Sequence, residues 1–218
     1  MRNLSFSVNE FYHIYNRGVD KRLIFMDKSD LDRFFECMDI LNRESSIGSV
    51  RDIPRHGVSG KEEPKLVRFV AYCLNPNHFH LILEQIAERG IERFMHKLGM
   101  AHSKYINAKY KRSGALFQGS FKAIRIDSNE YLLHVSAYVN LNDQVHGYRH
   151  GVSTKSSWEE YVLDQNVSEF CKKDIILEQF KDKERYKKFA EDTLKDVMER
   201  KKLIKELEDD EAGLINTI

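Results

Sequence analysis

A chain of 218 residues with 35 Lys and Arg against 34 Asp and Glu carries a formal net charge of +1, which excludes any argument about partners from bulk charge. Its 41% hydrophobic and 32% charged residues fit a globular fold, and no apolar run approaches the roughly 18 residues of a membrane span. The opening MRNLSFSVNE lacks the apolar stretch of a signal peptide, and Cys37, Cys73 and Cys171 are too scattered for a disulfide framework or a paired-cysteine zinc site. A cytoplasmic location without membrane attachment is expected.

Taken in chain order, FYHIYNR at 11–17 is β-branched and aromatic enough for a strand, with Gly18 and Asp20 as turn residues. A helix follows, capped by Ser29 or Asp30, with Leu31, Phe34, Phe35, Met38 and Leu41 as its buried stripe. Residues 44–65 carry three glycines and two prolines and read as a long exposed loop. Strands at 66–74 and 78–85 flank Asn75-Pro76-Asn77 as a hairpin. A helix over about 90–111, a strand over 117–126 and a helix from Ser128 to about 142 come next.

This order predicts an α+β fold: a ferredoxin-like antiparallel sheet with helices packed on one face. Residues 152–211 read as helical. Tyr186, Phe189, Leu194, Val197 and Leu203 supply a docking stripe, so a unit at 1–150 and a helical C-terminal extension at 151–218 are expected. Charge is polarised along the chain. Residues 91–125 hold eight bases and one acid, whereas 191–211 hold nine acids and five bases.

Two constellations can carry chemistry. His78 and His80, two apart on a strand, point to one face and can share a divalent ion. Nine histidines predict roughly 0.4 such pairs by chance, so the pair alone carries little weight against two ordinary hydrogen-bonded histidines. On the helix after Ser128, Tyr138 and Asn142 stand one turn apart. An amide oxygen is a hard ligand suited to magnesium or manganese, and a phenol beside such an ion can attack phosphorus. Tyr12 and Asn16 share the spacing but on a strand, where four residues span roughly 13 Å. Tyr131 lies two helical turns before Tyr138 and reads as a core tyrosine.

In order and spacing, FYHIYNRGVDKRLIF, AYCLNPNHFHLIL, GALFQGSFKAIRI and EYLLHVSAYVNLN resemble the single-tyrosine HUH transposases of the insertion-sequence type, and among them the REP-associated tyrosine transposases. The resemblance covers residues 11 to about 145, with a less specific likeness in the tail at 156–161 and 176–192. It implies a metal-dependent DNA transposase: a nuclease and strand transferase that cuts single-stranded DNA at hairpin-flanked sites and leaves a 5′-phosphotyrosine. By the same resemblance Tyr138 is the nucleophile, and His78, His80 and Asn142 hold Mg2+ or Mn2+. A bacterial, nucleoid-associated protein is implied, with a homodimer that exchanges tyrosines as one arrangement.

The basic stretch suits that substrate. Arg17, Lys104, Lys109, Lys111, Arg112, Gln118 and Lys122 are candidate DNA contacts, and Tyr105, Tyr110, Phe117 and Phe121 offer stacking faces; a solvated helix face is the bland alternative. The chain departs from the family pattern in the length of its 44–65 loop, in Asp143-Gln144-Val145-His146 after Asn142, and in His134, which reads as a surface histidine. Two alternatives remain open: a catalytically silent nucleic-acid-binding module on an RRM-like sheet, and a replication-initiator-type HUH nickase.

Overall fold

The computed structural model describes residues 4–45, 63–148, 153–163 and 170–215, with side chains in the last helix described as far as residue 203. Most of the expected 44–65 loop lies outside these residues. In chain order the elements are β1 (Phe11–Arg17), α1 (Lys28–Ile40), β2 (Val67–Asn75), β3 (His78–Gln85), α2 (Gly90–Lys109), β4 (Lys122–Ile126), α3 (Asn129–Asn140), α4 (Asn142–Val145), β5 (Lys155–Ser156), α5 (Trp158–Val162), α6 (Asp174–Leu177) and α7 (Lys183–Ile215). The sheet order is β4-β1-β3-β2-β5, and every pairing is antiparallel. The expected ferredoxin-like α+β core is therefore present, extended by β5 at one edge.

Strand alternation sorts the side chains onto two faces. Tyr12, Ile14, Phe79, Leu81 and Leu83 join one apolar cluster with Leu31, Phe34 and Met38 of α1 and Phe94, Leu98 and Ile106 of α2. Val70, Ala71, Cys73 and Ile82 join a second cluster with Leu132, Val135 and Val139 of α3 and Tyr186 and Ala190 of α7. A register shift between Phe69 and Ala71 is a bulge that puts the consecutive Val70 and Ala71 in the same cluster. One helical layer was expected; α1 and α2 form it, and α3 with α7 cover the opposite face. The strands are apolar on both sides because both sides are covered.

Local chemistry sets the element ends. Asp27, rather than Ser29 or Asp30, caps α1: its carboxylate accepts from Asp30 N while the Asp30 carboxylate accepts from Asp27 N, a capping box. Ser128 caps α3 as expected, accepting from Tyr131 N. The expected strand at 117–126 forms only from Lys122. Phe117 makes one isolated bridge to Gly18, and Gly119 then turns through a φ of 71°, which favours glycine. α3 stops at Asn140, so Tyr138 and Asn142 lie on successive short helices joined at Leu141.

The tail packs onto α3. Buried Tyr186 accepts from Asn140 Nδ2 at 2.8 Å and sits 3.2 Å from Ser136 Oγ. Phe189 and Leu194 complete the contact, whereas Leu203 is exposed. No described helix is long and apolar enough to cross a membrane.

Candidate active site

β1 and β3 bring the chemistry together. In their antiparallel register Tyr15 lies opposite His80 and Arg17 opposite His78, so His13, Tyr15, His78 and His80 emerge on the face that α3 covers. The tight turn at Pro76-Asn77 places Asn75 beside His78, and the α3–α4 junction brings Tyr138 and Asn142 down onto them. Four residues marked in the sequence, His78, His80, Tyr138 and Asn142, thus share one site.

The contacts are specific. His78 Nδ1 lies 2.6 Å from Asn77 Oδ1, an acceptor, so Nδ1 carries the proton and Nε2 a lone pair. That Nε2 lies 3.0 Å from Asn142 Oδ1. Asn75 Nδ2 donates to Asn142 Oδ1 at 2.8 Å and lies 3.0 Å from His78 Nε2. Two lone-pair atoms therefore face each other across 3.0 Å, while Asn142 Nδ2 is buried with no hydrogen-bond partner.

The Asn75 amide nitrogen lies within hydrogen-bond distance of both atoms, and their spacing also suits a cation. Neighbouring donors on an octahedral ion with bonds of about 2.1 Å stand roughly 3 Å apart, so the His78 and Asn142 atoms fit a small divalent ion. Among the described residues no cluster of three His, Cys, Asp or Glu side chains is arranged to hold a metal. Beside the histidine pair, Asn142 offers an amide oxygen as a further donor.

His80 is enclosed by rings. His13 stacks on it with centroids 5.1 Å apart, Tyr15 stacks at 5.6 Å, and His78 and Tyr138 meet it edge-on at 5.3 and 5.5 Å. Its Nδ1 lies 2.9 Å from His13 Nε2. Burial pushes every imidazole of the group down: His13 and His146 to about 4, His78 below its ordinary value and His80 well below it, His80 further through the neighbouring histidines. All four are neutral at pH 7, the form that ligates a cation. Burial raises the Tyr138 phenol, and the Asn142 amide beside it opposes that rise although its Nδ2 makes no formed hydrogen bond.

The site opens into a cleft of about 600 Å3 lined by Tyr15, Arg17, Lys21, His78, Gln118 and Lys122 among others. Arg17 Nε donates to Gln118 Oε1, and Gln118 N donates to Arg17 O at 2.9 Å. Of the seven candidate DNA contacts, Arg17, Gln118 and Lys122 line this cleft; Lys104, Lys109, Lys111 and Arg112 do not. The Lys109 ammonium lies 2.8 Å from Asp27 Oδ2 and 2.7 Å from Asp30 Oδ1, tying α2 to the cap of α1.

The rivals resolve clearly. Tyr131 is 36% exposed, not the expected core tyrosine, and Tyr12 is buried on the opposite face. His134 packs against Phe189 of α7, as a surface histidine would. His146 stands 4.6 Å ring to ring from His78, so the departure after Asn142 delivers another imidazole to the site. His13, Tyr15, Asn75 and Lys21 were missed as site residues. Alternation in FYHIYNR carried the signal for the first two, since His13, Tyr15 and Arg17 must share one face.

The antiparallel ferredoxin-like sheet thus presents a histidine pair, an amide oxygen and a phenol beside a cleft lined by Arg17, Lys21 and Lys122. Residues 41–142 match the model of the IS200-like transposases. A solved REP-associated tyrosine transposase bound to a REP hairpin is similar in fold, with a TM-score of 0.54 at 12% identity over 78% of this chain and 94% of that one. The resemblance carried by the four sequence blocks agrees with both comparisons. No curated protein matches the chain.

Proposed function

We propose that this chain is a DNA transposase of the single-tyrosine HUH type, which cuts and rejoins single-stranded DNA at hairpin-flanked sites. The observation that carries the reading is the meeting of Tyr138 with His80, ring centroids 5.5 Å apart, beside the opposed lone pairs of His78 and Asn142. Residues 1–150 then form the catalytic unit, and 151–218 an extension that braces the nucleophile helix through Tyr186. Both Tyr138 and His80 come from one chain, so the reading needs no second copy, and it fits a cytoplasmic protein working at the nucleoid.

In the proposed step Tyr138 Oη forms a bond to the scissile phosphorus and the P–O3′ bond breaks. The phenol proton is lost and the departing 3′-oxygen gains one, leaving a 5′-phosphotyrosine and a free 3′-hydroxyl. Attack by another 3′-hydroxyl reverses the exchange and joins strands without a nucleotide cofactor. Because burial raises the phenol's pKa, Tyr138 is a weak nucleophile unaided. Mg2+ or Mn2+, held by His78 Nε2, His80 and Asn142 Oδ1, would supply charge for the phosphate oxygens and the leaving oxygen. Arg17, Lys21 and Lys122 attract the backbone into the cleft, and Gln118, held by Arg17, offers an amide beside it.

A denaturing-gel assay on labelled single-stranded hairpin DNA from the gene's flanks, with Mg2+, Mn2+ or EDTA, tests the reading. A covalent adduct that requires metal and disappears in Tyr138→Phe is expected, with a loss of at least about 10³-fold. Tight binding without an adduct in the wild type would favour the silent binding module instead.

A further inference from the structure

We infer that His13 is a positioning residue that holds His80 in the one tautomer able to ligate a cation; the inference rests on the reading of His80 as a ligand. Two neutral imidazoles whose nitrogens lie 2.9 Å apart must divide the roles of donor and acceptor. If His13 Nε2–H donated, His80 would accept at Nδ1 and carry its own proton on Nε2, with no lone pair left for an ion. If His80 Nδ1–H donates, His80 Nε2 keeps its lone pair, and His13 is the acceptor that fixes it. His78 already has the second arrangement, with its Nδ1 proton on Asn77 Oδ1. The two histidines of the pair are thus each held through Nδ1, by an amide oxygen in one case and by an imidazole in the other.

The geometry restrains orientation as well as protonation. His13 and Tyr15 leave from alternate positions of β1 and both stack on the His80 ring, at 24° and 18° between planes. His13 is 6% exposed, so solvent does not readily replace it as the acceptor. A partner on a ligand's second nitrogen that sets tautomer and ring direction typically changes metal affinity 10- to 100-fold when removed.

The test uses the full chain without DNA. Long-range 1H–15N correlation on the metal-free protein is expected to find His80 protonated at Nδ1; protonation at Nε2 overturns the inference without any variant. Mn2+ titration followed by EPR is expected to weaken about 10- to 100-fold in His13→Phe, which keeps a ring but offers no acceptor. It should recover to within about threefold in His13→Gln, whose Oε1 can accept. Equal Mn2+ affinity in His13→Phe and wild type overturns the assignment and leaves His13 a packing residue, whose loss moves thermal stability alone. His80→Ala separates the two levels. If it binds Mn2+ as tightly as wild type, the ligand reading of His80 fails; if it loses binding while His13→Phe does not, only the role of His13 fails.

Discussion

His102 and His80 are buried to a similar depth, 3% and 8% exposed, on opposite faces of one sheet, and they use their nitrogens differently. His102 Nε2 donates to the Ile24 carbonyl at 2.8 Å and stands among Phe25, Phe34 and Tyr105. Its polar demand is met by backbone, and it serves as a core residue that ties α2 to the chain before α1. His80 stands among four other rings that bear nitrogen or oxygen, those of His13, Tyr15, His78 and Tyr138, and its neighbour His78 points a lone pair at an amide oxygen. Burial alone does not separate the two histidines; the partner does.

The sharpest way to break that contrast is to exchange the consequences of mutation. His78→Ala and His80→Ala are expected to lower single-strand cleavage per folded molecule about 100-fold or more at saturating metal, whatever stability the buried His80 ring also contributes. His102→Ala is expected to do the reverse, costing about 2–4 kcal/mol of stability through lost packing and an unpaired carbonyl. Its remaining folded fraction should cleave at the wild-type rate. Calorimetry and the adduct assay on the three variants decide; loss of cleavage per folded molecule in His102→Ala would undo the division between the faces.

Acid sharpens the same comparison. The imidazole of His102 falls from 6.5 to about 4 on folding, because burial disfavours its charged form. Between those values the unfolded chain binds the extra proton, so stability falls as pH drops through the window and is fully present above about 6.5. The contribution is on the order of 3 kcal/mol. Urea unfolding between pH 7 and pH 4 is expected to show the decline. His102→Gln, which keeps a donor for the Ile24 carbonyl, should flatten it by up to about 1.4 kcal/mol per pH unit. An unchanged slope would mean that His102 is not the buried neutral group described.

Much of this was legible in the sequence because the determinants are local. Alternation in HFHLILEQ set His78 and His80 on one face, the two residues Pro76 and Asn77 forced a hairpin, and Ser128 announced the start of α3. The cap of α1 fell to Asp27 because Asp30 faces inward and reciprocates, which depends on the Lys109 ammonium reaching across from α2. β4 starts late because Gly119 adopts a left-handed φ, which composition cannot announce. The second helical layer depends on residues far apart in the chain, such as Asn140 with Tyr186, 46 positions away. His13 was hidden for the same reason: its role appears only when β1 pairs with β3 and sets it beside a histidine 67 positions away.

The basic stretch divides by the same logic, with a smaller expected effect. Arg17 and Lys122 line the cleft, whereas Lys109 is held by two carboxylates. Arg17→Ala and Lys122→Ala should each weaken hairpin binding several-fold and reduce the slope of log K against log salt by about 0.7, the value for one single-strand phosphate contact. Lys109→Met should leave both affinity and slope unchanged while lowering the unfolding temperature. Fluorescence anisotropy between about 50 and 200 mM salt distinguishes the two groups, and an equal change of slope in all three variants would extend the DNA path beyond the cleft to the end of α2.

The smallest effect is expected at the other tyrosine of α3. Tyr131 lies two turns from Tyr138 on α3, yet it is partly exposed to solvent, while the ring of Tyr138 meets His80 and His13 at 5.5 and 6.2 Å. α7 fixes this difference. Tyr186 takes the Asn140 amide and stands beside Ser136, which holds the rotation of α3 so that Tyr138 faces the histidines. Tyr131→Phe therefore should keep adduct formation within about twofold of wild type, the size of an ordinary surface change. Tyr186→Phe removes the acceptor for Asn140 and should lower cleavage more than DNA binding, because it loosens the orientation of Tyr138, the proposed nucleophile, rather than the cleft. If Tyr131→Phe instead matches Tyr138→Phe in the adduct assay, α3 must turn when DNA binds, and the nucleophile assignment passes to a pair of tyrosines rather than one.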